Sequence, residues 1–304
     1  MNNPHPSATA SKPAQNPGLS VIVPVYNEGK RIGAVLSGLI EALEGMDLAW
    51  EVLAVDDGST DDTATAVGLT HATLLRHRRN NGYGAPLKTG MRMARYDYVL
   101  WFDGDGQHTA EQIPEFVAAL DEGADVVIGV RKLRDSFSLL RIAGKAVIWK
   151  FGQIILGTTL PDLNCGFRAF RRKVITRYLH LLPNRYSASM TSTLVLFYRG
   201  YTMETLRVRV NNNGATSHFC LLRDGLRAVN QLLRMAMLFN PWRLFGFTGI
   251  ILVALGAGYG IWSYLVAGGF ISSATMLIIA GLQSVFFGLV MDQIAEIRKG
   301  RFED

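Results

Sequence analysis

From Leu19 onward the chain alternates between short apolar runs and stretches of helical periodicity. Leu19–Val25 is almost wholly apolar, which predicts a buried first strand. Ile32, Val35, Leu36, Leu39, Ile40 and Leu43 then recur at spacings of three and four, marking one face of a helix. Glu51–Val55 predicts a second strand, and Asp61 or Asp62 stands where a cap of the next helix is expected. Thr73–Arg76 reads as a third strand, and Asn80-Asn81-Gly82-Tyr83-Gly84 opens a helix that runs through Met93. Tyr98–Phe102 is a fourth strand, Asp125–Val130 a fifth, and Glu204–Val210 a later one. Strands alternating with helices predict an α/β fold, a mostly parallel sheet with helices on both faces.

The pattern changes near the C-terminus. Leu244 to Met291 contains no Asp, Glu, Lys, Arg or His. A bilayer crossing needs roughly 20 apolar residues, so this stretch suits two spans, near Leu244–Ala267 and Phe270–Met291, joined at Gly268-Gly269. Arg243 precedes the first span, and Arg298, Lys299 and Arg301 follow the second. The positive-inside rule then places both ends in the cytoplasm. This run also accounts for a hydrophobic content of 49%. Two basic amphipathic segments, 137–160 and 221–239, suit the headgroup region of a membrane or packing onto the soluble core. The expected layout is a disordered tail (1–18), a catalytic domain (19–220) and a juxtamembrane helix (221–242). Two transmembrane helices (243–292) and a basic cytoplasmic tail (293–304) complete it.

Charge and cysteine content narrow the function classes. A net charge of +6 without a basic stripe interleaved with aromatics argues against nucleic acid as a partner. The two cysteines, Cys165 and Cys220, in a cytosolic setting argue against a structural disulfide.

The candidate chemistry sits at strand ends. The fourth strand runs into Asp103-Gly104-Asp105-Gly106-Gln107, two carboxylates and an amide at alternating positions. Such an oxygen-rich edge is the hard donor set that Mg²⁺ or Mn²⁺ prefers. Tyr26 and Glu28, Asp56 and Asp57, and Arg131 occupy the equivalent ends of other strands. Open α/β sheets place ligands on that edge. Further cations follow: Arg168, with Arg171 and Arg172 just beyond, and Arg207 and Arg209 alternating on one strand face before Ser217-His218. His108, beside Gln107, reads as a turn residue, and no histidine shows metal-ligand spacing.

This constellation resembles the inverting glycosyltransferases of the GT-A fold, and most closely the polyprenyl-phosphate sugar synthases of the dolichyl-phosphate-mannose synthase type. The resemblance rests on Val23-Pro24-Val25-Tyr26-Asn27-Glu28, Val55–Asp61, Asn80-x-Gly82-x-Gly84 with Lys88-Thr89-Gly90, Asp103-x-Asp105-x-Gln107, Arg131, and Asp162-x-x-Cys165-Gly166-Phe167-Arg168. It implies that Pro24, Tyr26 and Glu28 contact the nucleoside of a nucleotide-sugar donor, with Asp56 and Asp57 accepting from the base. Asp103 would lie near ribose and diphosphate, Asp105 and Gln107 would hold the divalent ion, and Arg131 would reach the diphosphate or acceptor phosphate. Asp105, Arg131 and Arg168 are the expected catalytic residues; Arg131, Arg209, Ser217 and His218 are the candidates for the acceptor phosphate. The acceptor implied is a polyprenyl phosphate, undecaprenyl or dolichyl, at the cytoplasmic face of the bilayer. A phosphate monoester has a second pKa of about 6 and is largely dianionic at neutral pH, so it needs no general base. Two positions depart from the family pattern: Tyr83 and His218 each stand where a lysine is frequent.

Other readings stay open at this stage. A transferase acting on a glycolipid or polysaccharide hydroxyl shares the nucleotide-binding half. Gln231-Leu232-Leu233-Arg234-Met235 comes close to the signature of processive synthases but lacks its tryptophan. A non-catalytic subunit binding nucleotide-sugar or lipid is the alternative of another class. Gly256, Gly258 and Gly260 allow close helix packing, so a homo-oligomer is possible.

Overall fold

The structure, a computed structural model, describes residues 18–131, 165–184, 188–210, 241–269 and 272–300, with Leu233 and Met237. The predicted amphipathic segments, apart from those two residues, lie outside the described residues, as do the N-terminal tail, Asp162, Ser217 and His218. The described residues divide into two compact units, one reaching to Val210 and one made of the C-terminal helices.

The first unit is built on a seven-stranded sheet. In chain order its elements are β1 (Leu19–Val25), α1 (Ile32–Glu44), β2 (Trp50–Asp56), α2 (Thr63–Gly68), β3 (Thr73–Arg76), α3 (Gly84–Met93), β4 (Tyr98–Trp101), α4 (Ile113–Asp121) and β5 (Val126–Arg131). Then follow β6 (Arg168–Arg171), α5 (Arg172–Arg177), α6 (Ala188–Tyr198) and β7 (Met203–Val208). The strand order is β3-β2-β1-β4-β6-β5-β7. β1 pairs in parallel with both β2 and β4, and β5 in parallel with β7. The expected mostly parallel sheet is present. Its one antiparallel strand, β6, is wedged between β4 and β5. Strand β6 went unread in the sequence because Arg-Ala-Phe-Arg carries no apolar run, yet Arg168, Ala169 and Phe170 are all buried.

Side chains alternate across β1, as the pleat requires. Leu19, Val21, Val23 and Val25 join the core that contains Ile32, Leu36, Leu39 and Leu43 of α1 and Phe116 and Leu120 of α4. Ile22, on the other face, meets Gly90 of α3. Burying aliphatic side chains of this kind contributes about 1.5–3 kcal/mol each. An aromatic group lies beneath the Asp103 loop: Phe116 stacks on Phe167 at 4.3 Å between ring centroids, and Phe102 meets the same ring edge-on at 5.5 Å.

The second unit is a helical hairpin, α7 (Pro241–Ala267) and α8 (Ser272–Gly300). Pro241–Val266 and Ser272–Ile297 are each long and apolar enough to cross a membrane. The helices touch backbone to backbone where Gly249 faces Gly281: a Cβ on Gly249 would stand 2.6 Å from the Gly281 carbonyl, and one on Gly281 2.7 Å from the Gly249 carbonyl. Gly256 is likewise used inside the hairpin, against Ile278 and Ala274, whereas Gly258 faces open space.

Candidate active site

The carboxyl ends of β1, β2, β4 and β5 carry the predicted polar residues. Two of the loops involved are stitched together. Asn27 takes a left-handed φ of 54°, a conformation that asparagine tolerates better than most residues. Its N–H donates to Ser59 Oγ (2.9 Å), and its side-chain oxygen accepts from the Thr60 N–H (3.0 Å). The Glu28 N–H donates to Thr63 Oγ1 (2.8 Å) and the Gly29 N–H to Asp61 Oδ2 (3.1 Å). Asp61 also accepts from the Thr63 N–H at 3.1 Å, so Asp61, rather than Asp62, meets the start of α2. These bonds fix the ledge from which Tyr26 projects, exposed, above buried Pro24.

Asp56 and Asp57 are both engaged by the protein itself. Both are buried. Asp56 Oδ1 accepts from the Ser59 N–H at 2.8 Å, and Oδ2 lies 3.0 Å from Arg76 Nε. Asp57 Oδ2 accepts from the N–H groups of Asn81 (3.0 Å) and Gly82 (2.7 Å), and Oδ1 pairs with His77 Nδ1 at 2.7 Å. The far nitrogen of His77 is 2.9 Å from Thr89 Oγ1. A carboxylate offers about four lone-pair sites, and three on Asp57 already serve the protein. These bonds hold the 77–82 loop against β2.

At the end of β4, Asp103 is gripped from several sides. Tyr83 donates its hydroxyl to Asp103 Oδ1 at 2.7 Å. His108 Nε2 stands 3.9 Å from Oδ2. A Cβ on Gly166 would fall 2.1 Å from Oδ2, so only glycine allows the carboxylate its place. Burial pushes the Asp103 carboxyl up to about 6, and Asp105 pushes the same way; the Tyr83 bond and the charges of Arg131 and Arg168 oppose it. Burial likewise raises Glu28, with Asp105 and Asp61 adding to the effect and Arg31 opposing it.

Asp105 Oδ1 accepts from the Gln107 N–H at 3.0 Å, closing a tight turn. Its other oxygen makes no hydrogen bond to the described residues. No group of three or more His, Cys, Asp or Glu side chains that could hold a metal converges among the described residues. The donors present, Asp105 and Gln107 with Asp103 and Glu28 nearby, are all oxygen donors. The Asp105 charge raises the proton affinity of both Asp103 and Glu28, so the region favours a hard cation.

Two expectations are revised here. Arg168 is fully buried and not presented to a ligand. Its Nε donates to the Cys165 carbonyl at 2.6 Å and its Nη1 to the Ser189 carbonyl at 2.5 Å, to Ser192 Oγ at 3.3 Å and to Thr193 Oγ1. The guanidinium is a strut between β6 and α6, with its charge felt by Asp103. His108 is a buried residue beside Phe167 that bridges to Val210, not a turn residue. The Phe167 ring seats His108 at 5.3 Å between centroids.

Arg131 ends β5 opposite Val208, and Arg207 and Arg209 are both exposed, as alternation predicted. Gln112, which the motif search passed over, fixes the end of β7. It donates to the Arg207 carbonyl at 3.0 Å and accepts from the Arg209 N–H at 2.8 Å.

With this geometry in view, residues 20–179 match the model of Glycosyl transferase family 2, which is more than half of the chain. The chain belongs to glycosyl transferase family 2. Residues 240–297 match the GtrB C-terminal hairpin, the two-helix unit of this family 2 protein. Among curated relatives, an undecaprenyl-phosphate 4-deoxy-4-formamido-L-arabinose transferase of Salmonella choleraesuis (strain SC-B67) is 34% identical over 167 residues. That alignment takes in 53% of this chain and 51% of the relative, so the match spans about half the relative's length. The fold is shared with glucosyl-3-phosphoglycerate synthase of Mycobacterium tuberculosis. Its complex with phosphoglyceric acid has a TM-score of 0.56 at 21% identity, covering 73% of this chain and 80% of that one. A complex of the same enzyme with Mn²⁺, UDP-glucose and phosphoglyceric acid gives a TM-score of 0.55 at 19% identity, with 73% and 80% covered. The GT-A architecture expected from sequence is therefore present, and so is the hairpin of apolar helices.

Proposed function

We propose that this protein transfers a hexose from a nucleotide-sugar to a polyprenyl phosphate at the cytoplasmic face of a membrane, with inversion and with Mg²⁺ or Mn²⁺. The observation that carries the reading is Asp105: one oxygen is fixed by Gln107 and the other left to a ligand, on a family 2 chain that ends in a membrane hairpin. The name of the Salmonella relative supports undecaprenyl phosphate as acceptor. The Mn²⁺ and UDP-glucose bound by the mycobacterial neighbour support a metal-assisted nucleotide-sugar reaction.

Pro24, Tyr26 and Glu28 form the ledge for the nucleoside, stiffened by the bonds from Asn27 to the 59–60 loop. Asp56 and Asp57 act mainly by holding that ledge and the 77–82 loop in register. Asp103, fixed by Tyr83, faces ribose and diphosphate; Asp105 and Gln107 would hold the ion. When bound, the ion supplies Lewis-acid stabilisation of the negative charge that grows on the departing nucleoside diphosphate. Arg131 adds a guanidinium to the same charge. Arg168 contributes from behind, as a buried cation near Asp103. An oxygen of the acceptor phosphate attacks the anomeric carbon as the bond to the diphosphate breaks. The nucleophile carries no proton at neutral pH, so no side chain has to remove one. Arg209, with Ser217 and His218, is the proposed acceptor-phosphate contact, and the hairpin keeps the enzyme beside its lipid.

The test uses purified full-length protein with Mg²⁺ or Mn²⁺, a panel of radiolabelled UDP- and GDP-sugars, and undecaprenyl or dolichyl phosphate. Label in the lipid phase that mild acid releases is the expected result. Label entering only a hydroxyl-bearing glycolipid or polymer would refute the acceptor assignment.

A further inference from the structure

Tyr83 lies between three parts of the fold. Its backbone takes helical angles (φ −45°, ψ −39°) directly before Gly84, the first residue of α3. Gly82 before it turns the chain with a φ of 98°. The Ala85 N–H after it donates to the carbonyls of Gly82 (2.9 Å) and Asn184 (3.0 Å). Asp57 grips the Asn81 and Gly82 N–H groups from the end of β2. The phenol is therefore aimed by its main chain. At its tip it donates to Asp103 Oδ1 at 2.7 Å and accepts from the Ser189 hydroxyl on α6. Burial and the Asp103 charge raise the phenol well above its ordinary range, with Arg168 and the Ser189 bond opposing, so it remains a donor.

An aspartate carboxylate turns readily about its last bond, because that torsion is broad. A donor on one oxygen stops the rotation. Here Oδ1 stays on Tyr83, and Oδ2 lies over Gly166, where a Cβ would come within 2.1 Å of it. Oδ2 makes no hydrogen bond to the described residues, with His108 Nε2 3.9 Å away. The Asp103 side chain is partly exposed, so this oxygen meets whatever the strand edge binds. A phenol also suits the task by charge. It supplies one proton and no positive charge, so the carboxylate keeps its own charge for a ligand. Asp105 shows the same pattern, one oxygen tied to the chain and the other left open.

We propose that Tyr83 is a positioning residue for the transfer: its hydroxyl, seated by Ser189, locks Asp103 Oδ1 and so presents Oδ2 to the diphosphate side of the donor. The role rests on the reading of this strand edge as the donor site, and the phenol itself touches no substrate.

The experiment compares full-length wild type with Y83F, S189A and the double variant in nanodiscs, each first checked for a cooperative melt. Initial rates use the donor and acceptor identified by the panel above, and Mn²⁺ alone is titrated by electron paramagnetic resonance. Y83F should lose about 10- to 100-fold in kcat or in Mn²⁺ affinity, the range for groups that orient a metal-site carboxylate. Its donor KM should change by less than about twofold. S189A, which leaves the Ser189 carbonyl on Arg168, should lose about 3- to 10-fold, the worth of one neutral hydrogen bond. The two hydroxyls act in series, so the double variant should match Y83F. If Y83F does not fold, S189A decides. Values of kcat and Mn²⁺ affinity both within about twofold of wild type in the deciding variant would overturn the inference. A loss confined to donor KM would make the phenol a substrate contact and overturn it equally, as would losses that multiply in the double variant. Wild type that binds Mn²⁺ more tightly than Y83F, yet labels no polyprenyl phosphate, would keep the Tyr83 role and refute the acceptor reading. Wild type that does neither would overturn both.

Discussion

Replacing Arg168 by methionine separates a strut from a ligand-binding cation. The side chain is fully buried, and its known bonds go to the carbonyls of Cys165 and Ser189 and the hydroxyls of Ser192 and Thr193. Not all of these are lost equally. The Ser189 carbonyl still accepts from Ser192 Oγ (2.8 Å) and Thr193 Oγ1 (3.1 Å) after the change. The Cys165 carbonyl loses a charged donor at 2.6 Å, and hydrogen bonds to charged groups contribute about 1.5–3 kcal/mol. Asp103 also loses a nearby positive charge. The sum is about 2–4 kcal/mol. In a unit of this size each kcal/mol moves the melting temperature by about 2–4 °C, which gives a fall of roughly 4–16 °C. Arg168→Lys should recover little, since an ammonium cannot reproduce the planar fork. The assay is thermal unfolding of the detergent-solubilised protein, followed by near-UV circular dichroism, alongside turnover. A variant that melts within about 2 °C of wild type but has lost activity would refute the strut and return Arg168 to the substrate.

Asp105→Ala should abolish turnover and remove the stabilisation by Mn²⁺ in a melting assay, while the melting temperature of the metal-free protein stays within about 2 °C, as expected for a partly exposed side chain. The Asp103 carboxyl is held at about 6 against an ordinary 3.8, so the folded metal-free protein holds that proton more tightly than the unfolded chain. Its contribution to stability is therefore greatest below pH 3.8 and falls as pH rises through 6. Asp103→Asn should accordingly gain on wild type in melting temperature across that window, and a constant difference would refute the assignment. Gly166→Ala places a methyl 2.1 Å from Asp103 Oδ2; displacing the carboxylate should lower kcat/KM at least about tenfold with about 1–3 kcal/mol of destabilisation, read by turnover and by denaturant unfolding.

Much of this was legible in the sequence because it rests on periodicity. The apolar face of α1, the run of β1 and the uncharged stretch of the hairpin each state their burial directly. The loop residues Asp103, Asp105 and Gln107 stand out in the sequence because glycines separate them at a strand end. What escaped was burial of charge. Nothing local in Arg-Ala-Phe-Arg distinguishes a strand with a buried guanidinium from an exposed basic turn; the hydroxyls that accept from Arg168 lie on α6, twenty or more residues away. The structural partners of Asp57 escaped for the same reason. Its appearance beside Asp56 suggests a ligand, but its partners are backbone N–H groups and a histidine that only the fold brings near.

The wedge of β6 between β4 and β5 orders the events of synthesis. Strands β1 to β4 are complete at Trp101 and pair without help from later chain. The β5 strand has no place beside β4 until residues 168–171 leave the ribosome to stand between them. The ledge carrying Tyr26 and Glu28 can therefore form on the nascent chain well before the Arg131 edge is docked. The membrane helices begin only at Pro241, and at about 5–20 residues per second many seconds separate them from β4. Mixed α/β domains fold faster than that. The machinery that inserts the hairpin thus receives a chain whose nucleotide-side strands are already folded.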